Sequence, residues 1–262
     1  MRILVTGAAG LVGRALVARG AGTMLAATRA DGDVTDPTVR ERLLDRHLPD
    51  AVIFCAAFTA VDRAGDRGES DRAWAVNVTA PGEWARRVPT WWLSSNFVYS
   101  TPGPHGPSER PSPVGAYATQ KAAGEDSVLR NGGHVCRVGW VYGPRGKTFG
   151  STLVQRLVAG ETVSAIADVL VQPTLSTHLA ASLMQLPVGI SHHIGCETAS
   201  WFGFALAVQA RVGRGRVVPV RLVDLRLPTP RPRDARLTPA TLPGWRAGVD
   251  ELLRGEASAG RL

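Results

Sequence analysis

Tyr117 and Lys121 stand four positions apart in the stretch Tyr117-Ala118-Thr119-Gln120-Lys121. On a helix that spacing stacks two side chains on one face, about 6 Å apart. A phenol titrates near pH ~10, too high for easy proton exchange at neutral pH, and a nearby ammonium lowers that value by favouring the phenolate. The pair reads as a proton-transfer device, useful only where a carbonyl and a hydride source meet. The chain carries 30 Lys and Arg residues, and only Lys121 and Lys147 are lysine. A sequence that otherwise writes arginine keeps lysine at 121, as expected where a compact, rotatable ammonium is needed.

The N-terminus offers a place for the hydride source. Arg2 to Thr6 reads as a buried strand, followed by Gly7-Ala8-Ala9-Gly10-Leu11-Val12-Gly13 and a helix over Arg14 to Arg19. A strand, a glycine turn and a helix aim backbone N–H groups at a pyrophosphate, and glycine lets it approach. Thr23 to Thr28 reads as the second strand. Dinucleotide sites often place a carboxylate at its end for the ribose hydroxyls. Here the chain writes Thr28-Arg29, which suits a 2′-phosphate, so NADPH is expected, with NADH the alternative. Asp33 and Val34 are expected beside the adenine, and Asp36 before Pro37 as a helix cap.

The remaining elements must bring a substrate to the pair. Helix Pro37 to Leu48 leads to strand Ala51 to Phe54, and the small Ala56 and Ala57 leave room for a cofactor. Ser70 to Arg87 reads as a helix containing Asn77. Trp91-Trp92-Leu93 is a strand ending in Ser94-Ser95-Asn96, and a hydroxyl at a strand's carboxyl end lies on the ligand side of an open parallel sheet. Ser95 is therefore a candidate donor to a substrate oxygen. Residues 101–113 form a Pro- and Gly-rich loop bordering the site. Tyr117 to Leu129 is the helix carrying the pair, and His134 to Val141 the next strand. After Gly146 the alternation loosens: helices are expected over Ser151 to Ala159, within Pro173 to Leu186 and over Ser200 to Val212. Strands are expected at Val163 to Ala167 and Val217 to Val220.

Composition narrows the classes. A chain of 262 residues can bury a core without staples. Three cysteines, Cys55, Cys136 and Cys196, are an odd number beside apolar residues, which points to reduced thiols and a cytoplasmic protein. No Cys/His cluster suggests a metal, and no apolar run is long enough for a bilayer. The glycines that interrupt the first apolar run argue against a signal peptide. The net charge of +8 favours anionic ligands. The arginines are scattered without interleaved aromatics, so nucleic acid is not the expected partner.

Taken together these pieces resemble the dTDP-4-dehydrorhamnose reductase family, a branch of the extended short-chain dehydrogenases. The resemblance runs from the opening ILVTGAAGLVG through GDVTD, Ala75-Val76-Asn77, Ser94-Ser95-Asn96 and YATQKAAGE to Trp140-Val141-Tyr142-Gly143, Gln172-Pro173-Thr174, Arg231-Pro232 and Leu242-Pro243-Gly244-Trp245. It implies an α/β fold: a Rossmann-type doubly wound parallel sheet with a small C-terminal substrate domain. Residues 1–145, with a return over roughly 161–195, would bind the cofactor, and 146–262 mainly the substrate. Ser95 would polarise a ketone, Tyr117 protonate the nascent alkoxide, and Lys121 lower the tyrosine pKa and hold the nicotinamide ribose. Asn96, Trp140, Lys147 and Arg231 are the expected substrate contacts. The implied reaction is reduction of the C4 ketone of a nucleotide-linked deoxysugar by NADPH, and a homodimer is compatible with it.

The chain departs from the family pattern at several points. Asn96 stands where Asp is usual, Phe54-Cys55 replaces Asn-Ala and Phe58 replaces Tyr. Val169 and Val171 replace Gln and Gly, and Ala235 replaces Ser. Two other readings therefore stand beside the first. One is a reductase of an unactivated ketone, such as an aminocyclitol, aminoglycoside or polyketide. The other is a non-catalytic NADP-binding regulatory subunit, which would be expected to have lost Ser95, Tyr117 or Lys121.

Overall fold

The computed structural model describes residues 1–146 and 148–260. β1 (Ile3–Thr6) is buried along its length and leads through a glycine turn into α1 (Leu11–Arg19). That helix starts three residues before the expected Arg14, because the extended backbone of Gly10 serves as its N-cap. β2 (Met24–Ala27), α2 (Pro37–His47) and β3 (Ala51–Phe54) follow. Asp36 caps α2 by accepting from the Thr38 amide at 2.7 Å, with Pro37 preset in the first turn.

α3 (Ser70–Trp74) and α4 (Ala80–Ala85) belong to one helical run interrupted by a π turn at Ala75–Thr79. The expectation of an uninterrupted helix over 70–87 is corrected there. The turn carries Asn77, whose amide binds the backbone on both sides of Phe58, at 3.0 and 3.1 Å, and the Gln120 side chain at 3.3 Å. π turns often mark functional positions, and this one ties the loop after β3 to the helix that carries Tyr117. β4 (Thr90–Ser95), α5 (Ala116–Arg130) and β5 (His134–Val138) complete the first part of the chain. A Cβ at Gly124 of α5 would sit 2.2 Å from the Asn77 carbonyl oxygen and 2.6 Å from the Trp92 ring. Glycine at this position lets the helix press against the sheet.

The later elements are β6 (Val141–Tyr142), α6 (Phe149–Val158), β7 (Thr162–Ile166), β8 (Thr174–Leu175), α7 (Ser176–Leu183), β9 (Ile190–His193), α8 (Trp201–Val212), β10 (Arg216–Val220) and α9 (Arg246–Ala257). The large sheet runs β2-β1-β3-β4-β5-β9 with every pair parallel. Successive strand residues alternate between two apolar layers. Val5 and Ile53 pack with Leu16 of α1 and Leu179 of α7, while Leu4 and Val52 pack with Leu43 of α2, Trp84 of α4 and Val128 of α5. From β1 the chain passes to β2 on one side and β3 on the other. The crevice beyond their carboxyl ends is the place where such sheets bind ligands.

Two boundaries differ from expectation. The strand expected over 134–141 breaks at Gly139-Trp140, where the chain leaves the large sheet and β6 pairs with β8. The expected return over 161–195 begins later: β7 pairs with β10, and only α7 and β9 rejoin the large sheet. β7, β10, α6, α8 and α9 surround a separate core containing Phe204, Trp245 and Leu252. The proline- and arginine-rich segment 226–239 is extended and crosses the site as a strap. Arg233 accepts from the Leu170 amide at 2.8 Å, Asp234 from Gly103 at 2.9 Å and Arg236 from His105 at 2.8 Å. Among the described residues no helix is long and apolar enough to cross a membrane.

Candidate active site

The glycine turn is shaped by close approaches. Gly7 holds a positive φ of 64°, and a Cβ there would lie 2.8 Å from the Ala56 amide nitrogen. A Cβ at Gly13 would lie 2.4 Å from the Gly7 carbonyl oxygen. The turn therefore sits directly against the end of β3, leaving open space above both. That space is a cleft of about 940 Å³ bordered by Gly7, Gly10, Leu11, Val12 and Gly13 on one side and Ser95, Tyr117 and Lys121 on the other. It continues into a 430 Å³ cavity bordered by Thr28, Arg29, Asp33, Val34, Ala56 and Ala57. A cradle of glycine backbone opening toward a basic pocket fits a dinucleotide phosphate.

At the far end of this cleft β2 is followed by Thr28 and Arg29 and not by a carboxylate. Asp31, the first acidic residue after it, is folded back on Thr28, accepting from its amide at 2.9 Å and its hydroxyl at 3.1 Å. These hydrogen bonds, the backbone one foremost, hold the Asp31 carboxyl below its usual pKa. Asp33 is likewise held down, first by the Thr35 amide and hydroxyl, then by the nearby charges of Arg29 and Arg72. Arg72 of α3 borders the same cavity as Arg29. Sequence reasoning missed it, because its only signal was an arginine one turn into the helix after β3.

Ser95 closes β4 and Tyr117 lies in the first turn of α5, and both side chains border the same two cavities. Ser95 Oγ accepts from the Phe97 amide at 3.2 Å. The Phe97 ring meets the Tyr117 ring edge-on, with centroids 6.1 Å apart. Burial raises the Tyr117 pKa, opposed by the neighbouring Ser95 hydroxyl. The phenol is therefore protonated at neutral pH and available as an acid. Lys121 lies one turn further along α5: Nζ donates to the Leu93 carbonyl at 2.7 Å and lies 4.0 Å from the centroid of the Trp92 ring. Burial pushes Lys121 down to about 7, with Glu125 opposing. The expected lowering of the tyrosine by its lysine is thus not the dominant effect in the protein alone, where desolvation governs both groups.

α5 is anchored by a buried ion pair that sequence reasoning also missed. Arg137 of β5 donates to Glu125 from Nε at 2.9 Å and from Nη2 at 2.7 Å, and Ser94 donates to the same carboxylate at 2.6 Å. Arg137 reaches on to the Tyr99 hydroxyl at 2.6 Å and the Pro107 carbonyl at 3.1 Å. One network thus joins β4, α5, β5 and the loop bordering the site.

On the other side of Ser95 and Tyr117 lies a second cavity of about 350 Å³. Asn96, Trp140 and Arg231, expected at the substrate, border it; Lys147 lies outside the described residues. Asn96 donates to the Ala235 carbonyl at 3.0 Å, and Arg231 pairs with Asp62 at 2.8 Å. Trp140 packs against Trp201 with the rings tilted by 34° and centroids 3.9 Å apart. Four of the unusual positions, Asn96, Val169, Val171 and Ala235, face this one cavity, whereas Cys55 and Phe58 face the cofactor side and Phe54 is in the core.

Comparison with known proteins agrees with this geometry. The family described as RmlD substrate binding domain matches residues 1–254. The dTDP-4-dehydrorhamnose reductase of Mycolicibacterium smegmatis is 33% identical over 288 residues, covering 98% of this chain and 86% of that protein. The dTDP-4-keto-6-deoxy-D-glucose reductase of Streptomyces niveus is 35% identical over 238 residues, covering 84% and 82%. In fold, the chain matches the Bacillus anthracis dTDP-4-dehydrorhamnose reductase solved in complex with NADP, with a TM-score of 0.89 and 23% identity over 97% of this chain and 98% of that one. The chain belongs to the RmlD substrate-binding-domain family, that of the dTDP-4-dehydrorhamnose reductases.

Proposed function

We propose that this chain is an NADPH-dependent ketoreductase acting at C4 of a dTDP-linked 4-keto-6-deoxysugar. The observation that carries this reading is the placement of Ser95 and Tyr117, which together border both the glycine-lined cleft and the apolar cavity. The similarity to 4-ketoreductases of dTDP-sugars over most of the chain supports the substrate class. When bound, NADPH supplies the hydride. The glycine turn holds its pyrophosphate, Lys121 its nicotinamide ribose, and Arg29 with Arg72 its 2′-phosphate.

Within that frame the chain's own groups divide the work. The Ser95 hydroxyl donates to the ketone oxygen and polarises it. The Tyr117 phenol, kept protonated by burial, gives its proton to the same oxygen as negative charge develops there. Arg231 at the cavity rim exchanges Asp62 for a phosphate of the substrate. The cofactor-binding unit comprises 1–138 and 176–193, and the remainder forms the substrate side. The test is to mix the protein with NADPH and dTDP-4-keto-6-deoxyglucose or its epimers. Cofactor consumption matched by a new C4 hydroxyl supports the reading, and no turnover with any of them rejects it.

A further inference from the structure

Two cations of the cofactor cleft have no part in the chemistry described above. Among the described residues, the positively charged side chains bordering that cleft are Arg14, Lys121 and Arg145, and no carboxylate joins them. Arg14 belongs to α1, and Arg145 to the turn between β6 and α6. Both also border a neighbouring groove of about 670 Å³, so they stand in the wall between the two spaces. Among the described residues neither guanidinium is in an ion pair.

The turn that carries Arg145 is pinned over the start of α1. Ser151 of α6 donates to the Gly143 carbonyl at 3.1 Å. The Arg145 amide donates to the buried Glu256 carboxylate of α9 at 2.7 Å. Arg145 holds a φ of 60°, a left-handed conformation uncommon for a residue with a side chain, so its neighbours hold the turn against the local preference. The Arg14 side chain donates to the Arg145 carbonyl. A Cβ at Gly146 would lie 3.4 Å from Leu11 Cδ1 and 3.8 Å from Arg14 Nη2. The turn therefore closes against the helix start that follows the glycine turn.

A guanidinium has five N–H donors, and the Arg145 carbonyl occupies one nitrogen of Arg14. The remaining fork suits a phosphate, which arginine binds through two parallel hydrogen bonds. We infer that Arg14 and Arg145 clasp the diphosphate of the dinucleotide: with the cofactor on the glycine turn, the two guanidiniums close over its phosphates from the outer side and slow its release. This inference rests on the cofactor of the function proposed above and adds two residues to its site. The diphosphate is common to NADPH and NADH, so the clasp holds both alike, in contrast to Arg29 and Arg72.

The experiment titrates NADPH, NADH and adenosine 2′-monophosphate into the wild type, Arg14→Ala and Arg145→Gly, with dissociation rates from stopped flow. Glycine accommodates the left-handed φ at 145, so that variant removes the charge and keeps the turn. Each variant should weaken NADPH and NADH by the same factor, about tenfold, the scale of a lost charge-assisted contact. The loss should lie in faster dissociation. Adenosine 2′-monophosphate, which lacks the diphosphate, should bind all three proteins equally. Wild-type affinity for both dinucleotides in either variant overturns the clasp. An equal loss for the monophosphate also overturns it, because the damage is then general to the site. Both results leave the reductase function standing, whereas a wild type that binds no dinucleotide removes the function and the inference together.

Discussion

The cleft and the cavity that meet at Ser95 and Tyr117 are built on different physical terms. On the cofactor side, backbone does most of the work: a left-handed Gly7, close packing on Ala56, and two arginines beyond β2. On the substrate side, the lining is mostly aliphatic and aromatic, with Thr59, Ser95, Asn96, Tyr117 and Arg231 as its polar side chains. In the function proposed above, charge and exposed amides hold the cofactor by its phosphates, and the shape of the second cavity holds the sugar. Tyr117 and Ser95 stand between the two and must be held still relative to both.

The largest expected effect comes from loosening that boundary. Glu125→Gln leaves Arg137 buried without its countercharge, and breaking a buried pair in this way costs about 3–5 kcal/mol. Urea denaturation should show a loss of that size. A loss below about 1 kcal/mol would mean that the pair does not fix α5 between the two cavities. The next effect should fall on one side only. Arg29→Ala and Arg72→Ala should each weaken NADPH about tenfold in a binding titration, the scale of a lost charge-assisted contact, while NADH affinity and the sugar KM stay unchanged. A matching loss of NADH affinity would break the assignment to a 2′-phosphate.

The smallest effect is a slope with pH. Burial lowers Lys121 to about 7 in the folded chain, so above that pH the unfolded chain binds the extra proton. Stability therefore rises as pH rises from about 7, by up to about 1.4 kcal/mol per unit. The urea midpoint should climb between pH ~7 and ~8, before most of the unfolded cysteine thiols ionise. Lys121→Met should flatten the climb, and an equal climb in the variant would show that the desolvated lysine is not its source.

These two sides were unequally legible from sequence. The glycine turn, the Thr28-Arg29 junction and the Tyr117–Lys121 spacing are local, so period and spacing reveal them directly. Arg72 was harder, because it reaches the cofactor cavity only through the path of the chain from β3 into α3. The wall of the substrate cavity joins residues near 60, 96, 140, 170, 201 and 231. No short-range pattern marks such an assembly. The Glu125–Arg137 pair was hidden for another reason: in a chain rich in arginine, nothing in the residue itself separates a buried guanidinium from a solvated one. The expected coupling of Tyr117 to Lys121 relied on spacing alone and neglected desolvation, which acts on both groups more strongly than they act on each other.

The central claim is that the Tyr117 hydroxyl delivers the proton that completes ketone reduction. It is tested most directly by single-turnover oxidation of bound NADPH by a dTDP-4-keto-6-deoxysugar, comparing wild type with Tyr117→Phe. The account predicts unchanged NADPH affinity and a rate at least a hundredfold lower in the variant, the scale of a lost general acid. A variant that consumes NADPH as fast as wild type would contradict it.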